Sequence, residues 1–110
     1  MSTFFADYLA AWGTLDVDAV MRFFTDDIDF ADTTLGHGAI GSVKMRRFVE
    51  ASFAAVPDAH FEYVHHFVSG DDYAIVWVMQ PMGIEGVSIG RLRDGLICHH
   101  RDYWNGTIDQ

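Results

Sequence analysis

Three residues of this 110-residue chain have side chains suited to acid–base chemistry: Asp32, Tyr8 and Asp102. Asp32 closes the alternating segment Ile28 to Asp32 and shares its face with Ile28 and Phe30. A carboxylate among apolar neighbours is costly to ionise and is the stronger base for it near neutral pH. The same position also suits a turn aspartate bonding the backbone of Thr33 and Thr34. Tyr8 lies on the stripe Phe4, Phe5, Tyr8, Leu9 and Trp12 at helical spacing. A buried phenol needs a hydrogen-bond partner, which a ligand carbonyl would supply and a packed core would supply equally. In the segment 96–104, Cys98, His100, Asp102 and Trp104 alternate with Ile97, His99, Arg101 and Tyr103. His100 thus shares a face with Asp102, where it can relay a proton or hold a polar ligand group. Asp102 would alternatively pin its strand through a buried salt bridge to an arginine. Two carboxylates and a phenol would, if brought together in an apolar cavity, suit proton transfer beside a carbonyl. One acid takes a proton from carbon, a donor steadies the enolate, and the proton returns elsewhere. That chemistry needs no cofactor.

Other chemistries find less support. His65 and His66, and His99 and His100, are adjacent pairs, and neighbours along a strand face opposite sides. One from each pair would still leave zinc short of a third ligand, so no metal site is expected. Cys98 fits a small core residue better than a nucleophile. The Gly36-His37-Gly38 stretch has no following basic residue and no strand–turn–helix setting, so it is not a phosphate loop.

The elements that must position these residues follow from periodicity. A first helix carries the Tyr8 stripe, with Ser2 or Thr3 as cap and Gly13 as stop. Asp16 caps a second, shorter helix bearing Val17, Val20, Met21, Phe23 and Phe24, which ends at Thr25-Asp26-Asp27. Residues 28–32 form a strand, and 33–41, with three glycines, read as a loop. A third helix spans about Ser42 to Val56 on the stripe Met45, Phe48, Val49, Phe53 and Val56. Four strands follow at roughly 59–68, 73–81, 85–93 and 96–104, the last two joined by Asp94-Gly95, a strong hairpin signal. The expectation is one α+β domain over residues 1–110, with helices laid across one face of a curved sheet.

Composition narrows the partners. Seven Lys and Arg stand against sixteen Asp and Glu, a net charge of −9. Nucleic acid and anionic membrane are therefore excluded as expected partners, and a small hydrophobic molecule fits better. The single cysteine and the lack of a basic, apolar leader predict a cytoplasmic protein. The strand Tyr73 to Met79 is apolar on both faces, which predicts that a second copy covers the sheet, giving a homodimer.

The stretch Tyr8 to Asp18 (YLAAWGTLDVD), then Phe23 to Asp27 (FFTDD), and finally Gly90 to Asn105 (GRLRDGLICHHRDYWN) resemble the SnoaL-like proteins of the nuclear transport factor two superfamily. That group includes polyketide cyclases, ketosteroid isomerases and limonene epoxide hydrolase. The resemblance runs from Phe4 to Asn105. It implies a cone-shaped, cystatin-like α+β fold, with a bent antiparallel sheet wrapped around a long helix and a deep apolar pocket between them. It sets Asp32 at the proton-shuttling aspartate of the isomerases and Tyr8 at their oxyanion-donating tyrosine. Asp102 matches the acid–base aspartate of the cyclases and the general acid of the hydrolase. Ser88 stands where the isomerases carry a protonated aspartate and the cyclases a histidine; a hydroxyl donates a weaker hydrogen bond there. The hydrolase also needs an arginine and an aspartate on the second sheet strand, where this chain has Val76 to Gln80, and its water-holding tyrosine and asparagine match Phe30 and Asp32. The pattern implies a cofactor-independent isomerase, cyclase or dehydratase acting on a small hydrophobic carbonyl compound. Asp32, Asp102 and Tyr8 would be catalytic, and His100, Ser88, Phe30, Trp104 and Phe53 would contact substrate. Should aromatic side chains fill the cone, the alternative is a non-catalytic ligand-binding or dimerisation module.

Overall fold

The structure, a computed structural model, describes residues 3–106. Ser2, one of the two expected caps of the first helix, lies outside them. Helix α1 spans Phe4–Ala11. Thr3 occupies its N-cap position, but its hydroxyl donates to Asp7 Oδ2 at 2.8 Å and caps no amide. Asp16 does cap α2 (Val17–Met21), accepting from the amides of Asp18 and Ala19 at 3.0 and 3.4 Å. Helix α2 stops before the expected Thr25–Asp27. The chain enters strand β1 at Phe24 and runs to Asp32. Phe24 pairs with Ile97 of the last strand, and that pairing takes Phe24 out of the helix.

A second correction concerns the glycine-rich stretch. Within the expected loop, His37–Ile40 form strand β2, antiparallel to β1 with Phe30 opposite Ala39. Gly38 admits this pairing closely, since a Cβ there would lie 3.1 Å from the Phe30 carbonyl oxygen. Helix α3 (Ser42–Ala55) buries Met45 and Val49 completely, whereas Val56 lies beyond its end and is exposed. The remaining strands are β3 (His60–Ser69), β4 (Asp72–Gln80), β5 (Ile84–Arg93) and β6 (Leu96–Trp104). All four lie within two residues of their expected ends. Asp94 and Gly95 both adopt positive φ, 54° and 82°, as the predicted tight hairpin requires.

The six strands form one sheet in the order β2-β1-β6-β5-β4-β3. Neighbours are antiparallel except β1 and β6, which run parallel. The parallel pair matters for the site because it sets Phe30 beside His100 and Asp32 beside Asp102 in register. Helix α1 packs on β3, and α3 on β1 and β2. Between helices and sheet lies a core that includes Val20, Ile28, Met45, Val49, Ile75 and Ile97, all fully buried. Each such side chain contributes roughly 1.5–3 kcal/mol of transfer free energy. The other sheet face remains uncovered in the single chain. There Ala74, Val76 and Val78 are half-buried, and Val64, Phe67, Ile89 and Tyr103 are exposed.

Candidate active site

The inner face of the sheet is organised as three rungs across β4, β5 and β6. Trp77, Gly86 and Trp104 form one, Ile75, Ser88 and Asp102 the next, and Tyr73, Gly90 and His100 the third. The middle strand presents only Gly, Ser and Gly, so large side chains from β4 and β6 reach over it. A Cβ at Gly86 would collide with the Trp77 ring.

Hydrogen bonds follow these rungs. The Trp77 indole N–H donates to Ser88 Oγ at 2.8 Å, and the Ser88 hydroxyl donates to Asp102 Oδ1 at 2.5 Å. His100 Nε2 lies 2.8 Å from the same Oδ1, and the Tyr73 hydroxyl lies 2.6 Å from His100 Nδ1. Tyr8 approaches His100 Nε2 at 3.5 Å, at the long limit of a hydrogen bond. Tyr8, Tyr73, Ser88 and His100 are buried, while the Asp102 side chain keeps 22% of its exposure. The side chain paired with Asp102 is therefore His100, not an arginine. The arginine beside it, Arg101, pairs instead with Asp29 at 3.0 Å. Burial pushes the Tyr8 hydroxyl well above the usual phenol range, with the Asp102 carboxylate adding to it. Burial does the same to Tyr73, again with Asp102 second. Both phenols are thus O–H donors at neutral pH.

Asp32 is held differently. Its two oxygens lie 3.1 and 3.0 Å from the Trp104 indole N–H, and Oδ1 also accepts the Leu35 amide at 3.1 Å. Its carbonyl takes the Gly36 amide at 2.9 Å. The carboxylate thus ties the turn between β1 and β2 to β6, through Leu35 rather than Thr33 or Thr34.

These groups border a cavity of about 390 Å3 between sheet and helices. Tyr8, Phe30, Asp32, Phe53, Ser88 and Asp102 all line it. His100 and Trp104 stand behind that surface and reach it through Asp102 and Asp32. Phe48, Phe61, Trp12 and Trp77 complete apolar walls, with Leu35 and His37 beside the β1–β2 turn. The aromatic residues therefore wall the cone without filling it. Among the described residues no lysine or arginine lines the cavity. Among the described residues no three His, Cys, Asp or Glu side chains converge as a metal site would need. No helix of the described residues is long and apolar enough to cross a membrane. Sequence reasoning missed Tyr73, whose hydroxyl belongs to the network although its segment reads as plain core strand. It also missed Leu35 and His37, hidden in a stretch read as loop. The glycine at position 90, opposite Tyr73, is the one signal that a large side chain crosses there.

The sequence profile of the SnoaL-like domain matches residues 5–100. The chain belongs to the SnoaL-like family. Among its relatives is the cyclase aurE of Calcarisporium arbuscula, 29% identical over an alignment 109 positions long that covers 86% of this chain and 80% of that protein. A Catenulispora acidiphila protein of ketosteroid isomerase-like fold superposes with a TM-score of 0.86 at 18% identity, covering 94% of this chain and 86% of the other. A polyketide-cyclase candidate from Sinorhizobium meliloti gives 0.78 at 20% identity, covering 94% and 95%. At such identities the structural likeness establishes the cone-shaped fold of the SnoaL-like and nuclear transport factor two superfamily. It leaves the chemistry to the side chains.

Proposed function

We propose that this SnoaL-like protein is a cofactor-independent acid–base enzyme, of isomerase, cyclase or dehydratase type, acting on a small hydrophobic carbonyl compound. The observation that carries this reading is the asymmetry of Asp102. Its Oδ1 accepts from Ser88 and His100, while the side chain stays partly open to an apolar cavity. Oδ2 is then the atom that takes a proton from carbon beside a carbonyl. Tyr8, a neutral phenol on the same cavity wall, donates to the oxygen on which charge develops. Asp32 steadies the turn at the cavity and keeps a carboxylate facing it. Because two carboxylates and, among the described residues, no lysine or arginine line the cavity, a neutral ligand suits it better than an anion. The relative named a cyclase supports the same class of chemistry.

The experiment is α-deuteration of 2-tetralone, an aromatic ketone that enolises readily, in D2O, followed by proton NMR. Exchange faster than in buffer is expected, and Asp102→Asn should lower it roughly a hundredfold, the usual size of a general-base contribution. Equal exchange by the wild type and Asp102→Asn would remove Asp102 from its role. Saturable ketone binding without exchange would identify a binding module.

A further inference from the structure

We propose that Tyr73 is a positioning residue that acts on Asp102 through His100, fixing where the imidazole carries its proton. This rests on the reading of Asp102 as the acid–base residue. Tyr73, Gly90 and His100 form one rung of the sheet, and the bare Cα of Gly90 lets the phenol cross the middle strand. A Cβ at Gly90 would strike the Tyr73 hydroxyl and ring and the His99 carbonyl. The imidazole plane is fixed from the side by Phe30, stacked at 5.1 Å with an interplanar angle of 9°.

Donor and acceptor counting gives the direction of each bond. The Tyr73 hydroxyl has one hydrogen to give, and each imidazole nitrogen either donates or accepts. Asp102 Oδ1 already takes the Ser88 hydrogen, and an ionised carboxylate only accepts. His100 Nε2 is therefore the donor to Asp102, Nδ1 is the acceptor, and Tyr73 fills it at 2.6 Å. The Tyr73 phenol is neutral and buried, so it has that hydrogen to give. With Nδ1 occupied, the ring holds its Nε2–H on Asp102 Oδ1 and leaves Oδ2 for the substrate. Without the phenol, Nδ1 is a buried lone pair with no donor. The ring is then free to turn, and its Nε2–H is no longer held on Asp102 Oδ1.

The test is nitrogen NMR of protein labelled with 15N-histidine, His100 being identified by the signals lost in His100→Asn. The wild type should show a protonated Nε2 and a hydrogen-bonded, unprotonated Nδ1. In Tyr73→Phe the Nδ1 signal should move. The kcat for 2-tetralone deuteration should fall about tenfold with KM held within about twofold, because the substrate never touches Tyr73. A wild-type His100 protonated at Nδ1 overturns the proposal. So does a Tyr73→Phe protein with unchanged Nδ1 signal and unchanged kcat. Should Tyr73→Phe fail to fold, the wild-type spectrum alone decides. Should the wild type not exchange 2-tetralone at all, the acid–base reading fails, and the spectrum still decides the tautomer.

Discussion

Ser88→Ala isolates the donor chain that ends on Asp102. The Ser88 hydroxyl does two things: it accepts from the Trp77 indole at 2.8 Å and donates to Asp102 at 2.5 Å. Both Ser88 and Trp77 are buried, at 1% and 2% exposure. Removing the hydroxyl leaves the indole N–H without its acceptor, which costs about 2 kcal/mol, and takes one donor from Asp102, about 1 kcal/mol more. The expected loss is about 3 kcal/mol, a large share of the roughly 5–15 kcal/mol that holds a typical domain together. With a urea m-value of about 1.5 kcal/mol/M, the unfolding midpoint falls by about 2 M at unchanged slope. Far-UV circular dichroism reads it without depending on the tryptophans. Trp77→Phe should also destabilise, through a lost bond and a cavity. The double variant, however, has no stranded indole, so it should be about 1–2 kcal/mol more stable than the sum of the singles predicts. A loss under about 1 kcal/mol in Ser88→Ala, or strict additivity, would refute the chain: the indole would then have another acceptor.

Three further outcomes are expected. Tyr8 and Tyr73 both titrate above their ordinary value in the fold, so their contribution to stability is complete below the unfolded phenol value of about 10 and fades as pH rises above it. Melting temperatures between pH 8 and 11 should fall at the alkaline end, and Tyr73→Phe should flatten that fall; an alkaline limb of equal slope in both proteins contradicts it. Gly86→Ala should destabilise by about 2 kcal/mol or more, because its Cβ meets the Trp77 ring; a neutral effect in chemical denaturation would mean that the ring is free to move. Sedimentation should show two chains joined through the uncovered sheet face, and Val76→Glu at its centre should give one; a monomeric wild type would discard that interface.

How much of this was legible depended on how local the signal was. Tyr8 and Asp32 could be placed from periodicity, since each sits on an element with a clear inner stripe, whereas Asp102 is placed by the family resemblance, because the two faces of its strand are equally mixed. The Asp94-Gly95 hairpin was equally legible, because positive φ at both central residues demands those residue types. The errors fell where a distant segment decides. Phe24 reads as helical until Ile97 pairs with it. His37 to Ile40 read as loop because glycines dominate, yet β1 supplies an edge that accepts them. No periodicity announces the parallel pairing of β1 with β6, although that pairing brings Asp32 beside Asp102.

The same distinction explains why Tyr73 stayed hidden. Strand parity groups residues along one strand, as it grouped His100, Asp102 and Trp104. The hydrogen-bond network around Asp102 runs across strands instead, joining Tyr73 to His100 over 27 residues of chain and Trp77 to Ser88 over 11. Such a crossing is possible only where the middle strand is bare. On β5 the three rung positions, between Ile84 and Leu92, are Gly86, Ser88 and Gly90, a pattern that weakens a strand by propensity. A strand that gives up side chains at two of its three rung positions loses packing of its own there and gains it from Trp77 and Tyr73 folding over it. The rung position between the two glycines keeps a hydroxyl, which both accepts from Trp77 and donates to Asp102. The glycines and the serine of β5 therefore belong to one arrangement, and a change at any of the three acts on Asp102 through the bond it supports.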